Sequence, residues 1–593
     1  MQERLIILGA GVMQGPAIRI ARELGFFTIV LDGSRDAPNI QLADRFEHID
    51  LKDKEGIEAF ARSMKNSGGL GGIMTAGTDF SASVAWTAEK LGLPGFPYEA
   101  ALNASDKSRM RNCFKKAGLP SPDFITITES DDPEKLSLPG SFPLVIKPVD
   151  NMGGRGCRRV DSMDEFKAAA ADALHFSRSG RAIVEAFMDG PEFSVDAIVY
   201  HDEITICGLA DRHIYFPPYF IEMGHTMPTV IPADQQEAIL QTFCQGIRAL
   251  GLTGNENVGA AKGDIKLTSN GPMIGEIAAR LSGGYMSGWT YPYASGVNPA
   301  KAAILIAMGR KPEGLIPEKN WTCAERAFIS IPGAVKTISG IEEAKKQPHI
   351  KDIFQLTSTG KKVNFPVNNV SKCGNIISAA ADRKTAIEAA EAAARSILIR
   401  LDPADPETAE FLGFPDFLTQ RHEGTKGIRK EEGEFGIRNE ELGIRNKNTE
   451  NSSRRHCRPL TPNSSFSSFP PNAFELSPEL KAALNSLPDT SISPCPPCLR
   501  ASVRDSSPKN PPNMNNLKII PFPAFTESSL KDYTGRSIAE SLQAVRELTG
   551  LLLPESPEST DNSYTLLGRS FWAALIRGGY QGAVYYIDQL MMK

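Results

Sequence analysis

The chain has 593 residues, 41% of them hydrophobic and 23% charged, and carries a formal net charge of -5 at pH 7. That length exceeds what one hydrophobic core organises, so several domains are expected. The mild acidity excludes a general nucleic-acid binder, which would be basic, and any anionic nucleotide must be held by local cations and backbone N–H groups. No apolar run approaches the roughly 20 residues of a membrane span.

From the N-terminus, Leu5-Ile6-Ile7-Leu8 reads as a buried strand rather than a secretory leader. Nine cysteines in so long a chain do not make a disulfide scaffold, and scattered singly they read as small core residues. A cytoplasmic protein is expected. The pattern continues with a helix over Pro16–Leu24, a strand over Phe27–Leu31, a helix over Ile57–Met64, a strand over Gly72–Thr75 and a helix over Ser83–Leu91. This alternation predicts a parallel α/β sheet in a Rossmann-like unit over residues 1–105. Gly9-Ala10-Gly11 and Gly15 follow the first strand, and Asp32 ends the second. The spacing is GxGxxxG and the helix opens with Pro16, so a tight strand-to-helix turn is favoured over a dinucleotide site.

A second unit is expected over residues 106–315. It opens with a helix from Lys107 to Ala117 and continues with strands at Val145–Pro148, Arg181–Glu185 and Glu192–Tyr200. Lys147 ends an apolar strand, and Gly153-Gly154-Arg155-Gly156 follows closely. A strand-end ammonium beside a small, basic loop suits a polyphosphate, because glycines let backbone N–H groups close over it. Val184-Glu185-Ala186-Phe187 and then Glu192 suit an adenosine pocket, although a plain surface hairpin explains them equally well.

After an amphipathic helix at Gln235–Leu250, strands Gly263–Leu267 and Met273–Ile277 flank the turn Ser269-Asn270-Gly271. If they pair, Asp264 and Glu276 face each other, a pair of hard oxygen donors for Mg²⁺. Arg280 follows on the same segment and could hold a second anion. Two solvent-facing acids beside a turn are the ordinary alternative. The aromatics Tyr215, Phe216, Tyr219 and Phe220 read as a loop over a site, and Tyr285, Trp289, Tyr291 and Tyr293 as either a substrate pocket or core filling.

A smaller α+β unit is expected over residues 316–419. Residues 420–515 then carry a short local repeat, Gly436-Ile437-Arg438-Asn439 and Gly443-Ile444-Arg445-Asn446, and a Ser/Pro/Asn-rich tract. Such a composition cannot offset its ordering entropy, so disorder is expected there. The lone Cys495/Cys498 pair inside it does not make a zinc site. A small helical segment, residues 516–593, ends the chain.

Taken in order, Lys107, Lys147-Pro148, the 153–156 loop, Glu185, Glu192, Asp264, Glu276 and Arg280 resemble the ATP-grasp superfamily over residues 1–415 or so. Within it the chain is similar to the carbamoyl-phosphate-synthase-like and amino-acid-ligase-like branches, because Glu222-Met223-Gly224-His225 matches the ExGH segment of amino-acid ligases. The resemblance implies an α/β protein: a Rossmann-like domain, a two-lobed ATP-grasp domain and a small lid-like domain. It implies an ADP-forming ligase that activates a carboxylate as an acyl phosphate and passes it to an amine. Lys107, Lys147, Gly153, Gly154, Arg155 and Gly156 would meet ATP phosphates, Glu185 the adenine region and Glu192 the ribose. Asp264 and Glu276 would bind Mg²⁺ (or Mn²⁺), with Arg280, Glu222 and His225 beside the reacting groups.

Two positions depart from the family pattern: Ala278 replaces the Asn of E-x-N-x-R, and Asp264 stands where many relatives carry Glu. The metal pair survives both changes. Small-molecule carboxylates and amines are the expected partners, with neither nucleic acid nor membrane, and a homodimer is compatible with this reading. A fold-retaining ATP-binding scaffold without turnover is the alternative. It would have little reason to keep Lys147, Asp264, Glu276 and Arg280 together.

Overall fold

The computed structural model describes residues 2–413, Leu484, 517–519, 531–549 and 565–591. The N-terminal sheet is parallel, in the order β3-β2-β1-β4, with β1 Arg4–Leu8, β2 Phe27–Asp32, β3 Arg45–His48 and β4 Leu70–Thr75. Alternate residues of β1 feed opposite faces: Leu5 and Ile7 join one core, Ile6 and Leu8 another. A strand covered on both faces has to be apolar throughout, which is why Leu5–Leu8 is a continuous hydrophobic run.

Four antiparallel-paired strands follow in the order β5-β8-β6-β7: β5 Phe124–Thr128, β6 Leu144–Pro148, β7 Arg158–Val160 and β8 Arg181–Ala186. Helix Met163–Phe176 covers them, and the Ser162 side chain caps it by accepting from the Glu165 N–H.

The largest sheet has eight strands. Its first six are β9 Glu192–Tyr200, β10 Glu203–Tyr215, β11 Ile221–Met227, β12 Val258–Thr268, β13 Gly271–Ala278 and β14 Thr322–Phe328. The chain then forms β15 Gly333–Ser339, β16 Ile350–Gln355, β17 Lys362–Val363, β18 Gly374–Ala380 and β19 Leu398–Leu401. Strand order in the large sheet is β13-β12-β9-β10-β11-β14-β18-β16, while β17-β15-β19 form a small sheet. One hydrogen-bonded layer thus runs from the Asp264/Glu276 hairpin into the lid-like unit, so both ends of the site rest on a common rigid sheet.

Helices Ile538–Thr549 and Arg569–Met591 pack into the same core as the small sheet, where Leu542, Phe571, Trp572 and Tyr586 meet Ile331, Ile399 and Leu412. Gln581 ties the joint, accepting from the Ile331 N–H at 3.1 Å and donating to the Ile399 carbonyl at 2.8 Å. The segment expected as a separate helical tail therefore completes the lid-like unit, a long-range pairing that its own periodicity did not reveal. The 420–515 tract, apart from Leu484, and the Cys495/Cys498 pair lie outside the described residues. No helix among the described residues is long and apolar enough to cross a membrane.

Candidate active site

The N-terminal glycine turn is filled from within. Gly9 adopts φ +95°, a conformation that a side chain rarely tolerates. The buried Gln14 side chain lies across the turn, its Oε1 accepting from the Gly11 N–H at 2.9 Å and its amide donating to the Ala76 carbonyl. The N–H donor that a dinucleotide phosphate would use there is spent on Gln14. Val12 and Met13, on the same turn, instead line a cavity of about 470 Å³ that lies between the domains.

Strand β6 delivers Lys147 to that cavity, and helix Lys107–Lys116 delivers Lys107, with Asp106 capping the helix by accepting from the Arg109 N–H at 3.0 Å. Gly153, Gly154 and Arg155 also line it, with Gly153 and Gly154 at φ +71° and +73°. Gly156 is not among the residues that line the cavity; a Cβ there would come to 3.1 Å from Phe176 and Pro148.

Glu185 is almost fully buried between two cations, Arg111 Nε and Lys147 Nζ, each at 2.8 Å. Burial pushes its carboxyl up, but Arg111 and Lys147 outweigh that and hold it below the usual range. Its side chain is thus committed to anchoring Lys147, and Ala186, Phe187 and Met188 line the cavity beside it. Arg111 also donates to the carbonyls of Ile274 and Gly275 at 3.0 and 2.7 Å, joining the two lobes. Sequence reasoning passed over Arg111, although it lies one helical turn after Lys107 and so shares its face.

Across the cavity the hairpin forms as expected. Asp264 and Glu276 are register partners on β12 and β13. Lys107 stands 3.3 Å from Glu276, and Lys262 pairs with Asp264. Burial raises the Glu276 carboxyl, yet Lys107, Lys262, Lys147 and Arg280 together hold it well below the ordinary range. Asp264 is likewise held down, against burial, by Arg212 and Lys262. Both are therefore anionic donors at neutral pH. No group of three or more His, Cys, Asp or Glu among the described residues is arranged to hold a metal alone. Two carboxylates open to a cavity fit Mg²⁺, which characteristically takes one or two protein carboxylates and completes its shell with substrate phosphates and water.

Arg212 was also missed. From β10 it reaches Glu192, its register partner on β9, Glu222 at 2.8 Å and Asp264 at 3.2 Å. One guanidinium thus fixes three acids that sequence reasoning had assigned separate tasks. Arg280 is buried, and its Nε makes no hydrogen bond among the described residues. A desolvated guanidinium edge facing a cavity invites an anion.

The lid-like unit closes the other side. The Asn369 N–H donates to the Gly153 carbonyl at 2.8 Å, and its Oδ1 accepts from the Glu222 N–H at 2.8 Å. Lys372 donates to the Glu222 carbonyl at 2.8 Å. Glu222 and His225 line the cavity on β11, where burial of Glu222 is outweighed by the cations around it, Arg212 and Lys372 among them, which hold its carboxyl below the usual range. Of the aromatics, Phe220 and Tyr285 line the cavity; Trp289 and Tyr291 are buried in the core beneath, and Phe216 packs on Phe365.

Of the residues expected from sequence, the cavity gathers Lys107, Lys147, Gly153, Gly154, Arg155, Glu185, Glu192, Glu222, His225, Asp264, Glu276 and Arg280. Comparison with known proteins agrees with the fold. Residues 140–288 match an ATP-grasp domain, and residues 327–402 match L-amino acid ligase C-terminal domain 2. An uncharacterised protein of Sinorhizobium fredii, y4rH, is 24% identical over 70% of this chain and 87% of its own. Carnosine synthase 1 of Gallus gallus is 26% identical over 52% of this chain, which spans only 35% of that protein. The crystal structure of L-amino acid ligase from Bacillus licheniformis superposes with a TM-score of 0.59 at 22% identity, covering 68% of this chain and 99% of that one. The chain thus carries an ATP-grasp domain followed by an L-amino acid ligase C-terminal domain.

Proposed function

We propose that the protein is an ADP-forming carboxylate–amine ligase whose substrates are amino acids. The observation that carries this reading is one cavity lined together by Lys107, Lys147 and the 153–155 loop, by the Asp264/Glu276 pair, and by Arg280, Glu222 and His225. Groups for polyphosphate, metal and organic substrates thus share one enclosure, as transfer of a phosphoryl group to a carboxylate requires.

In this reading Lys107 and Lys147 meet phosphate oxygens while the glycine loop folds over them. Asp264 and Glu276 would hold Mg²⁺, which would supply neutralisation of the phosphate charge. Arg280 holds the donor carboxylate, so that one of its oxygens attacks the γ-phosphorus in line and ADP departs. An amine then attacks the acyl carbon, the C–N bond forms, and the C–O bond to phosphate breaks. Lid residues Asn369 and Lys372 keep water out by holding the glycine loop against the Glu222 strand. The amino-acid substrate class is supported by the matched C-terminal domain and by the likeness to carnosine synthase 1 and the L-amino acid ligase.

The test is ADP release with ATP and Mg²⁺ across pairs of amino acids, with mass detection of the amide. ADP formation that requires a carboxylate and matches amide formation supports the reading. Carboxylate-independent hydrolysis at the same rate overturns it.

A further inference from the structure

His225 is backed by a buried carboxylate. Its Nδ1 lies 2.9 Å from Glu325 Oε2, and Glu325 is fully buried. The other Glu325 oxygen accepts from the Asn375 side-chain amide. His225 and Glu325 are register partners on β11 and β14, and Asn375 comes from β18, so three adjacent strands build the arrangement. On the far side of the ring, Nε2 stands 3.7 Å from Glu222 Oε2, too far for a hydrogen bond. Gly284 faces these two side chains without one of its own. A Cβ there would come within 2.9 Å of Glu222 Oε1 and 3.0 Å of His225 Cε1. Gly284 thus packs close against a buried pair that still lines the cavity, with room there only because it lacks a side chain.

A carboxylate on one ring nitrogen fixes the proton there and leaves the other nitrogen with its lone pair. We propose that Glu325 is a positioning residue that holds the Nδ1 proton of His225, so that Nε2 takes the proton an attacking ammonium must lose. This inference rests on the ligase reading above.

The step balances as follows. One proton passes from the ammonium to Nε2, which frees the nitrogen lone pair. That pair forms the C–N bond as the C–O bond to phosphate breaks, and the departing phosphate takes the second proton. Glu325 stabilises the imidazolium, and Glu222 holds the ammonium before the transfer. The groups facing His225 are Glu222 on its own strand, Arg212 and His213 from β10, Glu325 and Arg326 from β14, and Asn375 with Lys372 from β18 and the turn before it. Burial holds His213 down at about 3, so it stays neutral and does not compete for the proton.

Two acceptors separate this role from a structural one. Hydroxylamine is uncharged at neutral pH and needs no deprotonation before attack, whereas an amino acid presents an ammonium. Each common amino acid is offered as donor with hydroxylamine, and the best hydroxamate former is then tested against amino-acid acceptors. Glu325→Gln should keep hydroxamate formation within about threefold of the parent while amide formation falls about a hundredfold, a typical general-base contribution, and His225→Asn should lose amide formation at least as far. Raising the pH, which supplies the free amine, should narrow that gap. Equal losses with both acceptors, or no loss with either, would overturn the Glu325–His225 assignment. A parent enzyme that forms no hydroxamate at all would instead overturn the ligase reading beneath it.

Discussion

Asp264 and Glu276 are register partners on adjacent strands of one hairpin, with Lys107 3.3 Å from Glu276 and Lys147 lining the same cavity. Two anionic oxygens at a fixed separation on a sheet, rather than on a loop, make the kind of rigid ligand pair that a phosphate-bound Mg²⁺ needs.

Glu276→Gln keeps the shape and removes one anionic donor. ADP formation should fall by at least about a hundredfold, on the scale of losing one preorganised electrostatic group, while circular dichroism stays that of the parent. Near-normal turnover at ordinary Mg²⁺ would remove Glu276 from the metal site.

Arg280→Lys replaces a planar fork by a point charge. ATP binding, followed by calorimetry, should stay nearly normal if Lys107 and Lys147, as proposed, meet the phosphates. Hydroxamate formation at saturating ATP should drop by about a hundredfold. Equal hydroxamate from both proteins would place the donor carboxylate elsewhere.

Asp196 is buried beneath the arginine segment, accepting from the Ser282 hydroxyl, and its Oδ1 makes no hydrogen bond among the described residues. Burial pushes its carboxyl from 3.8 up to about 6, against the pull of Ser282, Lys262 and Arg280. The folded state therefore binds this proton more tightly than the unfolded chain. Its contribution is fully present below pH 3.8 and is lost as the pH rises through about 6. Asp196→Asn should match the parent in denaturant unfolding at the acid end and exceed it by on the order of 1–3 kcal/mol at pH 8. A gap of the same size at both pH values would show that ionisation is not its cause.

The C-terminal helices predict a contrast between two truncations. Ending the chain before residue 531 removes Gln581, Tyr585 and Gln589, which bond to the backbone of Ile331, Asp405 and Pro403. It also exposes the core around Leu412 and Ile399. Insoluble protein, or a much lower melting temperature, is expected. Deleting 420–515 while keeping both helices removes one core residue, Leu484, but none that lines the cavity, and should leave carboxylate-dependent ADP release within about twofold, since a Ser/Pro/Asn-rich tract offers little else to pack. A soluble, fully active chain lacking the helices would contradict the packing argument.

Much of the site could be read locally. The turn Ser269-Asn270-Gly271 pairs the two strands as far as Ile265 and Ile274, a one-residue register shift next to Asp264 then sets it opposite Glu276 rather than Gly275, and Lys147 sits at the end of a recognisable strand. What escaped was pairing at long range. Arg212 meets Glu192 only because a bulge between Ile206 and Gly208 resets the register of β9 with β10. Arg111 reads as a solvated helix charge until Glu185 is folded against it. Glu325, Asn369 and Lys372 come from a unit more than a hundred residues after the glycine loop, and nothing in their local pattern points back to His225 or Glu222. Glu185 shows the converse: a carboxylate expected to serve the adenine region turns out to anchor Lys147.

The ligase account depends on a covalent link between donor carboxylate and γ-phosphate, and isotope transfer reads that link directly. The donor amino acid is labelled with oxygen-18 in its carboxylate and turned over with unlabelled ATP, Mg²⁺ and an amino-acid acceptor. The account predicts that each phosphate released carries one donor oxygen, in step with amide formation and ADP release. Amide formed with unlabelled phosphate would contradict it.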